Sequence, residues 1–162
     1  MPVSIESSLR HVAWAEKEFF SRLAQLPVDL YTATYHDPEW NVAHIASHIA
    51  SGAAWYELCL TGVNYEQDVP AAPANAEEMV ALGEFLAART AAIVHEARHD
   101  DALLHVAVYG EEFDVLRSTL LAQAIHHSVE HRAHIASALE ASGYHDLDLE
   151  SLDAWAYAAA TR

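Results

Sequence analysis

Four long stretches of this chain repeat apolar residues at helical spacing, and most are bounded by residues that start or stop helices, which leaves little room for a sheet-based fold. The first stretch runs from about Ser4 to Leu26, with Ile5, Leu9, Val12, Phe19, Phe20 and Leu23 on one face and Pro27 closing the pattern. The second begins at Asn41, a good N-cap after Trp40, and continues through Leu60 to Gly62. Its stripe is Val42, Ile45, Ile49, Ala53, Tyr56 and Leu60. A linker rich in Pro and Ala, Val69 to Ala74, leads to the third, where Asn75 is the cap and Glu78 holds the capping-box position. Met79, Leu82, Leu86, Ile93 and Ala97 face inward there. The fourth runs from about Val115 to Ser142 and stops at Gly143. Between the third and fourth, His105 to Val115 alternates loosely around Tyr109-Gly110 and reads as a small hairpin. Leu152 to Ala159 reads as a short terminal helix docking Trp155 and Tyr157. Four amphipathic helices with little strand predict an all-α fold, a four-helix bundle in one domain over residues 1–162.

The charge of this chain excludes several partners. Eight Lys and Arg stand against 24 Asp and Glu, a formal charge of −16 with histidines neutral. Such a surface repels phosphate backbones and anionic headgroups, so no nucleic-acid or membrane partner is expected, while divalent cations are attracted. Cys59 is the only cysteine, which excludes an intrachain disulfide and a Cys-rich metal site; on the inward face it reads as a small core residue. The N-terminus does not resemble a secretion signal, and no stretch reaches the roughly 20 apolar residues of a membrane span. A cytoplasmic protein is expected.

Histidine is the abundant reactive residue, with 12 copies, so each must be weighed by position. His127 and His131 lie four apart on the fourth helix, one turn above the other on one face. They border the arc of Leu121, Ala124, Ile125, Ser128, Ile135 and Leu139, while His126 and Glu130 point away. His48 borders the apolar stripe of the second helix. Three neutral imidazoles converging in a helical bundle would make an open metal site. Single border histidines are more often ordinary, and periodicity alone cannot bring His48 to the other two. His95-Glu96-Ala97-Arg98-His99 matches the H-E-x-x-H pattern of zinc proteases. Its histidines lie opposite Met79, Leu86 and Ile93, on the solvent face of the last helical turn, and we read the match as fortuitous. Glu16 falls between Val12 and Phe20 on the inward face, where a lone carboxylate is costly. It is either an edge glutamate reaching solvent or a helper, accepting from a ligand histidine or acting as a base.

With the triad assembled, the chain resembles the DinB-like superfamily, which includes the YfiT-like metal hydrolases. Trp40-Asn41-Val42-Ala43-His44-Ile45-Ala46-Ser47-His48-Ile49 looks like that family's opening of the second helix. His127-Ser128-Val129-Glu130-His131-Arg132-Ala133-His134-Ile135 looks like its His-x-x-x-His-Arg-Gly-Gln-Ile signature, and Gly143-Tyr144 with the tail after it resembles its usual ending. The resemblance implies an up-down-down-up connection, a homodimer, and His48, His127 and His131 as the metal ligands. His44 in place of a helix-start Glu and Ala133-His134 in place of Gly-Gln depart from the pattern outside the triad, and they put in doubt any substrate carried over from a relative.

The resemblance and the histidines together predict a divalent transition metal, Zn²⁺ first and Ni²⁺ second, with positions left for water or a substrate thiolate. Relatives include mycothiol-dependent maleylpyruvate isomerases and bacillithiol S-transferases. A small-molecule substrate is therefore expected, with a low-molecular-weight thiol as cosubstrate in S-transfer, or hydrolysis of a small substrate. Glu16 is the candidate catalytic helper. A non-catalytic metal- or ligand-binding stress-response module is the alternative, because a fold does not guarantee chemistry. A metal-free structural dimer would require the three histidines to be apart.

Overall fold

The computed structural model describes residues 4–162. The helical expectations convert into α1 (Ile5–Leu23), α2 (Val42–Thr61), α3 (Ala76–Glu96) and α4 (Arg117–Ala141), with a short α5 (Ala154–Ala160). One hairpin, β1 (Leu103–Val108) and β2 (Glu111–Leu116), separates α3 from α4. The fold is thus mainly helical with a small two-stranded sheet.

Local chemistry sets the helix ends. Asn41 accepts from the His44 N–H at 3.0 Å, and Gly62, at φ 78°, ends α2 in the left-handed conformation. Asn75 accepts from the Glu78 N–H, and the Glu78 carboxylate accepts in return from the Ala74 N–H and the Asn75 side chain. That exchange satisfies donors that the first turn of α3 would otherwise leave bare. The hairpin turns through Tyr109 and Gly110 at φ 52° and 84°, two left-handed residues in succession, as a tight two-residue connection requires.

Two expectations need correction. Val115 does not start the fourth helix: Val115 pairs with Leu104 and Leu116 with Leu103, so the ladder continues to Leu116 and α4 begins at Arg117. Trp155 does not dock. Asp153 accepts from the Ala156 N–H and fixes the rotation of α5, leaving Trp155 84% exposed while Tyr157 packs on Trp14 and His11.

The core is one cluster from all four long helices, including Leu9, Phe19, Ile45, Ile49, Met79, Leu86, Ile135 and Leu139. α1 and α2 each pack on both α3 and α4. Glu6 pairs with Arg98, Glu16 with Thr90, and Phe20 lies against Gly83, so α1 and α3 run in opposite directions. Trp40 meets His131 and Tyr56 meets His127, so α2 and α4 do the same. This α2–α4 face carries the histidines. Among the described residues no helix is long and apolar enough to cross a membrane.

Candidate metal centre

α2 and α4 approach closely at Gly52. A Cβ built on Gly52 would stand 2.3 Å from Cε1 of His127 and 2.9 Å from both its ring nitrogens. The missing side chain is therefore the space that the imidazole occupies. From that seat His127 points Nε2 at Nε2 of His48, 3.1 Å away. His131, one turn further along α4, places its ring centroid 4.6 Å from that of His48 and 4.4 Å from that of His127. One nitrogen from each ring lies within 4.8 Å of the others. The three histidines singled out in the sequence thus come together.

Their surroundings hold them neutral. Burial is the main cause for each: His127 falls to about 3, with His131 and His48 adding to it, His131 falls to about 4, with His48 and His134 adding, and His48 is lowered with His44 adding. Neutral imidazoles keep their lone pairs, and a single contact between two Nε2 atoms uses one lone pair at most. Three converging neutral nitrogen donors, two of them on adjacent turns, suit a late first-row divalent ion, so the residues present fit a metal.

Partners outside the triad orient it. Nδ1 of His134 lies 3.2 Å from Nδ1 of His131, which leaves Nε2 of His131 as the nitrogen for the shared point. Trp40 sets its ring edge-on to His48 and His131, with centroids 5.0 and 5.7 Å away, and Tyr56 meets His127 at 5.7 Å. His134 was read from the sequence only as a departure from a family pattern. Its position three residues after His131, on the same side of the helix, was the available signal.

Glu16 does not reach solvent. It is 4% exposed and accepts from the Thr90 hydroxyl at 2.7 Å, making no hydrogen bond to the three histidines among the described residues. Burial raises its pKa; the Thr90 hydroxyl, the Ser128 side chain and the buried Arg132 guanidinium oppose that rise. Ser128 Oγ bears on the charge without the geometry of a hydrogen bond, and Nε of Arg132 is likewise buried without a hydrogen-bond partner among the described residues. Glu16 and His127 share the wall of a cavity of about 10 Å³, with Tyr56, Thr90 and Ser128. Sequence reasoning found the odd carboxylate but missed Thr90 and Arg132. Thr90 continues the Leu82–Leu86 row at the next helical step, and Arg132 follows Ser128 by four residues.

The H-E-x-x-H histidines are exposed, as expected, but Glu96 between them is buried and paired with Arg117. Cys59 is partly buried against the core, and burial pushes its thiol up to about 11, so it is no nucleophile at neutral pH.

Comparison with known protein families matches residues 1–159 to the DinB family, and the chain belongs to that family. No curated protein and no solved structure matches the chain.

Proposed function

We propose that this DinB-family chain is a divalent-metal enzyme in which His48, His127 and His131 hold Zn²⁺, or Ni²⁺. Its reaction is S-transfer of a low-molecular-weight thiol, or hydrolysis of a small substrate. One observation carries the reading: three burial-neutralised imidazoles from two facing helices bring one nitrogen each within 4.8 Å of the others. The frame is a four-helix bundle of up-down-down-up connection, supported by the opposed directions of α1 and α3 and of α2 and α4, and by the long link between α2 and α3.

A bound ion of this kind supplies Lewis acidity to a water or a thiol. The residues do the rest. Gly52 lets His127 close on His48, and His134 steadies the ring of His131. Trp40 and Tyr56 form aromatic walls around the histidines. With Nε2 of His127 turned to His48, Nδ1 is the nitrogen left for the cavity shared with Glu16, which has room for one water centre. Through such a water the Glu16 carboxyl, its pKa raised by burial, would take or return a proton. The formal charge of −16 supports a small-molecule substrate over nucleic acid or an anionic membrane.

The size of that cavity favours a second reading. About 10 Å³ beside His127 admits a water and no substrate, as a module that binds a metal without turnover would need. The two readings separate on elemental analysis of untagged protein followed by turnover assays. About one transition metal per chain, lost in His131→Ala, with turnover of thiol conjugates or activated esters abolished in His48→Ala, supports the enzyme. Metal without turnover supports the module. Negligible metal in both proteins after loading with zinc would overturn the site.

A further inference from the structure

We propose a second divalent-cation site at the C-terminal end of α3, built by His95 and Glu96 of its last residues and His99 of the turn that follows. The two imidazoles lie four residues apart across the end of α3, with ring centroids 5.4 Å from each other and planes at 85°. Between them Glu96 presents both carboxylate oxygens: Oε2 lies 3.2 Å from Nδ1 of His99, and Oε1 lies 3.9 Å from Nδ1 of His95. One ligand atom from each of the three residues falls within 4.8 Å of the others.

The carboxylate makes this more than two surface histidines. Glu96 is 7% exposed, and Arg117, at the start of α4, pairs with its Oε2. The pair with Arg117 therefore holds the carboxylate in place before any cation arrives, while Oε1 accepts no hydrogen bond among the described residues. The histidine side chains are 64% and 49% exposed, which leaves their rotamers less constrained than those of core residues. The negative end of α3 and the acidic surface both favour a cation there. An open groove of about 440 Å³, lined by Trp14, His95, Arg98 and Tyr157 among others, runs alongside.

Two nitrogens and one oxygen select borderline ions such as Zn²⁺, Ni²⁺ and Cu²⁺ over Mg²⁺ or Ca²⁺. The motif is nonetheless not a protease centre, because Glu96 is committed to Arg117 and cannot serve as a free base. The site shares no residue with His48, His127 and His131, so it stands or falls separately from the proposed function.

The test is calorimetric titration of Zn²⁺ into chelator-stripped, untagged full-length protein in a non-coordinating buffer. Wild type, His99→Ala and His131→Ala are compared, with circular dichroism to confirm the helical fold. The expected result is two binding classes in wild type, with His131→Ala retaining the class that His99→Ala loses or weakens at least roughly tenfold. A His99→Ala protein with wild-type stoichiometry and affinity overturns the proposal, and so does a folded His131→Ala protein that takes up no zinc. A His99→Ala protein without zinc would instead remove the triad and leave this site standing.

Discussion

Replacing Gly52 with alanine separates metal binding from stability at a single methyl group. On helix propensity alone the change should help, since glycine inside a helix costs about 1 kcal/mol relative to alanine. Packing opposes it. The new Cβ would start 2.3 Å from Cε1 of His127, whereas carbon atoms in contact settle at about 3.5 Å, so the ring must retreat by about 1 Å. Overpacking of this kind costs about 1–3 kcal/mol. The two effects leave a net loss of about 0–2 kcal/mol, or a fall in Tm of no more than about 8 °C. For the metal the same movement is far more serious, because Zn–N bonds of about 2.0–2.1 Å tolerate only about 0.2 Å of error. A ligand displaced by several times that tolerance should weaken zinc binding by about 100-fold or more, beyond the 10–100-fold typical of losing a supporting residue. Zinc affinity by chelator competition, with Tm measured on the metal-free proteins, reads both quantities. If wild type binds zinc and folded Gly52→Ala binds it equally well, then His127 is not the ligand seated against α2.

Three further outcomes follow from the same structure. His134→Ala should keep the metal stoichiometry but lower affinity by about 10–100-fold, because Nδ1 of His131 loses its partner; unchanged affinity in chelator competition would discard that orienting role. Since burial lowers His127 to about 3 and His131 to about 4, and lowers His48 from its ordinary value, protons should compete with metal at the first two only as pH approaches 4, and titrations across pH 7 to 8 should show little change. A steep loss of affinity between pH 8 and 7 would contradict that. Glu57 is buried, with its pKa raised by desolvation and opposed by Arg89 at 2.6 Å, so the folded state binds this proton more tightly than the unfolded chain does, and the stability this contributes is lost as pH rises through its folded pKa. Arg89→Met removes that opposition and should cost about 3 kcal/mol at pH 8 and distinctly less at pH 4.5. Urea unfolding at both pH values checks this, and an equal loss at each would refute it.

The parts of this fold that were legible in the sequence are those governed within one turn of helix or strand. Asn41, Gly62 and Asn75 act on backbone groups at most four residues away, so their helix ends appear where the residues stand. Tyr109-Gly110 likewise marks its own turn. The start of α4 was not legible, because Val115 and Leu116 fit a helical stripe and a strand equally well, and only pairing with Leu104 and Leu103 decides. Trp155 was misplaced for a related reason: in so short a helix the rotation set by Asp153 decides which aromatic docks.

The site divides along the same line. His127 and His131 declare themselves by spacing on one helix, but their meeting with His48 depends on a contact between helices. Gly52 is the residue through which the sequence does encode that contact: a glycine inside an apolar helix gives up stability, and the seat of His127 is the compensating reason. Glu16 was conspicuous as a buried carboxylate, yet its partners lie on α3 and α4 and could not be read from α1. The H-E-x-x-H stretch shows how far a motif alone can mislead. Its letters suggest a glutamate base, but the hairpin returns the chain so that Arg117 meets Glu96, and a candidate base becomes a fixed carboxylate between two exposed histidines. What those three residues can bind is therefore decided by a partner that lies outside the motif.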